Sequence, residues 1–128
     1  MSVSIVRLGS PRKTDGVRIG TVRRPPRGIR KEDYGRLNYY DIWLPMLAPS
    51  AELLKIGKRA SNDEIAWKQF KKKFEVEMGR AEAVSILSLL AALSHQTDFS
   101  IGCYCENEGR CHRSILGELL KRNGAQIV

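Results

Sequence analysis

Apolar residues recur along this chain with two periods, one close to two and one between three and four, and the alternation between them divides it into strands and helices. Val3, Ile5 and Leu8 predict a first strand, ended by Gly9-Ser10-Pro11. Val17 to Val22 alternates apolar with polar or small residues and predicts a second, paired with the first in antiparallel fashion or through a short connection. Tyr39, Tyr40, Ile42, Trp43 and Leu44 predict a further short strand, and Pro45 and Pro49 bar a long helix there. Ser50 is placed to cap a short helix over residues 51–57, and Ser61-Asn62-Asp63-Glu64 has the capping-box pattern of a longer one. In that longer helix Trp67, Phe70, Phe74 and Met78 share a face, while Lys68, Lys71, Lys72 and Lys73 lie mostly elsewhere. Gly79 interrupts it, and residues 81–93 restart as a more buried helix with Val84, Leu87 and Leu90, or Ile86, Leu90 and Leu93, turned inward.

The last third of the chain changes period once more. Phe99 to Tyr104 is apolar or small at nearly every position, the composition of a central strand covered on both faces. Cys105 to Arg110 is a polar loop, Cys111 to Ser114 the first turn of a helix running through Leu120, and Asn123-Gly124 its stop. Residues 125–128 can add an end strand. The expected fold is a single three-layer α/β domain over residues 1–128, with a mixed, mostly parallel sheet and helices packed over it.

Composition narrows the class. A chain of 128 residues with 42% hydrophobic content buries a core without staples. The longest apolar run, Val84 to Leu93, is broken by serine and too short to cross a bilayer, and no hydrophobic signal segment opens the sequence. A soluble cytoplasmic protein with no membrane partner is expected. The three cysteines, two of them one residue apart, do not form an extracellular disulfide framework, so reduced thiols are expected.

The charge is uneven. Residues 1–31 hold nine of the 22 basic residues against Asp15 alone, and the remainder of the chain is balanced, so the net +8 lies in the first quarter. Such a patch attracts phosphate groups, on a nucleotide or non-specifically on nucleic acid. No aromatic residue precedes Tyr34, which argues against sequence reading of single strands. Within the patch, Pro25 and Pro26 stiffen a loop that holds Arg23 and Arg27, whose guanidinium forks suit phosphate or carboxylate oxygens.

All three cysteines fall between positions 103 and 111, at a strand-to-helix loop of the kind where α/β domains bind ligands. The leading expectation is therefore an anion site. Cys105, Cys111, His112, Arg113 and Ser114 supply the loop and helix start, and Arg23 and Arg27 arrive from the proline loop. A sharper alternative makes Cys105 or Cys111 a nucleophile, activated by the helix start and the arginines. No cysteine has an arginine at the spacing of a cysteine-phosphatase loop. A third alternative is zinc on Cys103, Cys105, Cys111 and His112. Strand alternation would send Cys103 and Cys105 to opposite faces, and adjacent Cys111 and His112 do not read as sharing a tetrahedron with both, so no metal and no cofactor are expected. Phosphate-loop, dinucleotide and serine-hydrolase motifs do not occur. The oligomeric state is not encoded in any visible pattern.

Several of these segments together resemble domain of unknown function family 488 (DUF488), its YeaO-like branch included. They are Asp15 to Arg18, Pro26 to Lys31, Pro49 to Leu53, Phe70 to Phe74, and Cys105 with Cys111-His112-Arg113-Ser114. Pro25 stands where that family's loop has tryptophan. The resemblance spans nearly the whole chain and implies a compact α/β domain.

Overall fold

The computed structural model describes residues 1–12, 15–59, 63–105 and 111–128. Four strands, β1 (Val3–Arg7), β2 (Val17–Gly20), β3 (Ile42–Trp43) and β4 (Phe99–Cys103), form one sheet in the order β1-β4-β2-β3. Every pairing is parallel, with Val3 opposite Phe99, Ile5 opposite Ile101, and Ile19 opposite Ile101 on the other side. The sheet is thus wholly parallel, where a mixed one was expected. β1 and β2 are not partners at all, because β4, the last strand in sequence, lies between them. The composition of β4 explains the insertion: apolar or small throughout, it is buried along its whole length and takes the centre.

Four helices, α1 (Ala51–Arg59), α2 (Glu64–Glu77), α3 (Ala81–Leu93) and α4 (His112–Arg122), share one core with the sheet. Val3, Ile19, Phe99 and Ile101 meet Leu53 of α1, Phe70 and Phe74 of α2, Leu87 and Leu90 of α3, and Ile115, Leu116 and Leu120 of α4. The face predicted for α2 is the one that packs. Its cap is Asp63, whose carboxylate accepts from the amides of Ile65 and Ala66; Ser61 and Asn62 lie outside the described residues. In α3 the buried positions are Ala83, Leu87, Leu90 and Ala91, while Val84 and Leu93 are exposed. Neither expected phase is exact, because two alanines turn inward and let the helix sit close.

The far face of the sheet is covered by loops. Arg18 is buried there and donates from Nη1 to the carbonyls of Ser10 and Asn38, each at 2.8 Å. Asp41 accepts both Arg12 terminal nitrogens at 2.9 Å and the Arg18 amide at 2.9 Å. At the carboxyl end Gly124 adopts φ 89°, and residues 126–128 dock on β1 through a single parallel bridge between Val3 and Ile127, short of the expected end strand. Among the described residues no helix is long and apolar enough to cross a membrane.

Candidate functional site

In a parallel sheet the carboxyl ends of the strands share one edge, and ligands gather there. Here the central pair β4 and β2 ends at Cys103 and Gly20. Thr21 continues β2 by donating its amide and its hydroxyl to the Gly102 carbonyl, at 2.9 and 3.0 Å. Its own carbonyl accepts from Nε2 of His112 at 2.6 Å. A carbonyl can only accept, so that bond fixes the proton on Nε2 and leaves the Nδ1 lone pair bare. Burial lowers the His112 pKa and keeps the ring neutral, packed edge-on to Phe74 at 5.7 Å.

The bare Nδ1 faces sulfur. Cys111 Sγ lies 3.7 Å from it, and the ligand atoms of Cys103, Cys111 and His112 all fall within 4.8 Å of one another. Cys111 and His112 were not expected to share one tetrahedron with both Cys103 and Cys105; their ligand atoms do meet, beside Cys103. Cys111 is the extended N-cap residue of α4 (φ −127°, ψ 150°), and the chain turns into helix between the two, so both side chains reach the same point. Cys111 performs no side-chain capping; its carbonyl accepts from the Ser114 amide and hydroxyl at 3.0 and 2.7 Å, and its thiol packs inward among Leu8, Val22 and Tyr40. Nor does strand alternation separate Cys103 from Cys105. The strand ends at Cys103, and Cys103 and Cys105 line the same cavity.

All three cysteines are free, and they divide their protons unequally. The neighbouring Cys103 and Cys111 thiols hold the exposed Cys105 well below the usual thiol range, against its partial desolvation and with help from the charge of Arg113. The neighbouring thiols, together with burial, push Cys103 up to about 11 and Cys111 higher still.

Cys103, Cys105 and His112 open onto a cavity of about 460 Å³, whose other walls are the loop from Val22 to Arg27, Tyr39, Leu54 and Tyr104. Arg23 is tied down, donating from Nε to the Pro49 carbonyl at 3.0 Å and from Nη2 to the Ala48 carbonyl at 3.2 Å. It anchors the proline loop and leaves Arg24 and Arg27 as the exposed guanidinium groups. Tyr104 donates its hydroxyl to the Arg24 carbonyl at 3.0 Å and meets Tyr39 edge-on, so the wall is aromatic even though Pro25 replaces a tryptophan.

Of the residues singled out in the sequence, Arg23, Arg27, Cys103, Cys105 and His112 line this cavity, and Cys111 and Ser114 do not. Arg113 is elsewhere. It is buried, donates from Nη1 to the Val6 carbonyl at 3.1 Å, and lines a separate groove with Arg18 and Ser100. Consecutive helical residues point about 100° apart, so His112 and Arg113 cannot serve one pocket. Arg110 and the rest of residues 106–110, read as the polar loop, lie outside the described residues. Sequence reasoning missed Thr21, Tyr39, Leu54 and Tyr104. Tyr104 alone carried a local signal, its place between two cysteines at a strand end.

A family model described as DUF488-N3a, the active DUF488-N3 subclade, matches residues 3–124. The chain belongs to the DUF488 family. The match takes in the whole sheet, all four helices and every wall of the cavity in this DUF488 chain. No curated protein and no solved structure matches it.

Proposed function

We propose that this DUF488 protein binds a small ligand joining a phosphate or carboxylate to a flat, weakly polar body, such as a nucleoside monophosphate. One observation supports this above the rest: a single cavity of about 460 Å³ sets the arginines of a stiff proline loop opposite tyrosine, leucine and cysteine walls. Small-molecule sites are of this size and combine an apolar lining with few polar anchors. Arg27 and Arg24 would hold the anion through paired N–H donors, and Tyr39 and Tyr104 would face the body of the ligand. Arg23 keeps the loop in place and pays the ordering cost before the ligand arrives. The word active in the family description supports turnover as well as binding, with the ligand beside Cys105. Free thiols suit a reducing compartment such as the cytoplasm.

Calorimetric titration with adenosine 5′-monophosphate, inorganic phosphate and a simple carboxylate tests the reading. Wild-type protein should bind at least one of them and gain thermal stability with concentration. Arg27→Ala should weaken that binding about tenfold or more, the usual loss of a charged hydrogen bond. Equal affinity in Arg27→Ala, or no binding by any of the three, would sink it.

A further inference from the structure

We propose a second site that the anion pocket does not require: a zinc ion held by Cys103 Sγ, Cys111 Sγ and His112 Nδ1, with Cys105 Sγ completing the tetrahedron from the cavity side. Zinc bonds of about 2.3 Å to sulfur and 2.0 Å to nitrogen set neighbouring donor atoms of a tetrahedron roughly 3.5–3.8 Å apart. Cys111 Sγ and His112 Nδ1 stand at 3.7 Å, and Cys103 joins them within 4.8 Å. Side-chain rotations alone would close that remaining distance.

The orientation of the histidine is the stronger observation. A metal-bound imidazole characteristically donates its other N–H to a carbonyl or carboxylate, which aims the ring and fixes its tautomer. His112 does this through Nε2 to the Thr21 carbonyl at 2.6 Å, turning an unprotonated Nδ1 toward two buried sulfurs. Cys105 is not part of that cluster of three but lines the cavity beside Cys103 and His112, so its side chain would swing inward from the open side to fill the fourth position. Three soft sulfurs and one imidazole select zinc over the hard cations, which take oxygen. On binding, the thiols release their protons to solvent while His112, already bare at Nδ1, releases none. The metal would join the end of β4 to the start of α4 and, through His112 and Thr21, to β2.

Protein purified in reducing buffer without chelator should contain stoichiometric zinc by elemental analysis. Metal-free protein titrated with cobalt(II) should develop the visible absorption of a tetrahedral thiolate site, displaced by zinc. Cys111→Ser and His112→Ala should lose the zinc and the cobalt bands. Cys105→Ser should keep the bands with weaker sulfur charge-transfer intensity. Because Cys111 and His112 are core residues, wild-type protein supplies a further measurement: zinc should protect the three thiols from iodoacetamide, counted by intact mass, and a chelator should expose them. No stoichiometric zinc together with no cobalt band, unprotected thiols in zinc, or full zinc retention by folded Cys111→Ser would overturn the proposal. Titration of the phosphate ligand into metal-free wild-type protein separates the two sites, since binding there without any zinc uptake defeats this inference alone.

Discussion

Gly102 sits on β4 where a methyl group has no room. A Cβ there would stand 2.5 Å from the Val6 carbonyl oxygen and 3.0 Å from a Leu8 methyl. The oxygen belongs to the backbone of β1 and cannot rotate aside, so Gly102→Ala must push the central strand from its edge neighbour. We expect a loss of about 2 kcal/mol or more, read as a lower urea midpoint with an unchanged slope; a midpoint equal to wild type would mean that the strands yield easily. Asp41 acts through charge. Burial raises its pKa, but the Arg12 guanidinium, the Arg18 amide and both positive charges outweigh burial, and the net shift is downward. A carboxyl lowered in the folded state stabilises above its unfolded pKa, and that contribution is lost as pH falls through the folded value, a window below about pH 4. Stability measured through this window should fall less steeply for Asp41→Asn than for wild type. Parallel curves would show that Asp41 has no linkage to folding.

Helix α2 is the element most directly readable, since Phe70, Phe74 and Met78 recur at helical spacing and all three are buried. Its cap needed coordinates. The capping-box pattern pointed to Ser61, whereas Asp63 accepts two free amides of the first turn. Asp63→Ala should cost about 1 kcal/mol, measurable in thermal or urea unfolding, and no loss would show that water serves those amides equally well. The sheet order was not legible, because a short link between Val3–Arg7 and Val17–Gly20 reads locally as a pairing. The competing claim of β4 comes from a segment nearly eighty residues on. The cysteine cluster was half legible. Its position at the strand-to-helix loop followed from sequence, but its convergence depends on a ψ of 150° at Cys111, where extended chain turns into helix. Spacing rules for ligands assume one backbone state and miss such a junction. Arg113 failed for the converse reason: one step along the helix carries it to the edge of β1.

Across the molecule, the +8 charge of the first quarter is largely spent on the fold. Arg12 pairs with Asp41, Arg18 and Arg23 donate to backbone carbonyls, and Arg30 reaches Asp33 at 3.3 Å. Among the described residues of the proline loop and the turn after it, Arg24, Arg27 and Lys31 remain as exposed cations without a bonded partner. Three cations neutralise few phosphates, and each phosphate contact contributes about −0.9 to the slope of log affinity against log salt on duplex DNA. We therefore expect weak duplex binding with a slope near −3, measured by fluorescence anisotropy over a salt series. Two of the three cations also line the cavity, so a phosphate ligand that occupies the pocket should compete with the duplex, and Arg27→Ala should weaken both. A slope steeper than about −6, insensitive to Arg27→Ala and to the small ligand, would mean that internally bonded arginines are released onto the nucleic acid. The basic quarter would then be a nucleic-acid surface, and the cavity would need another explanation.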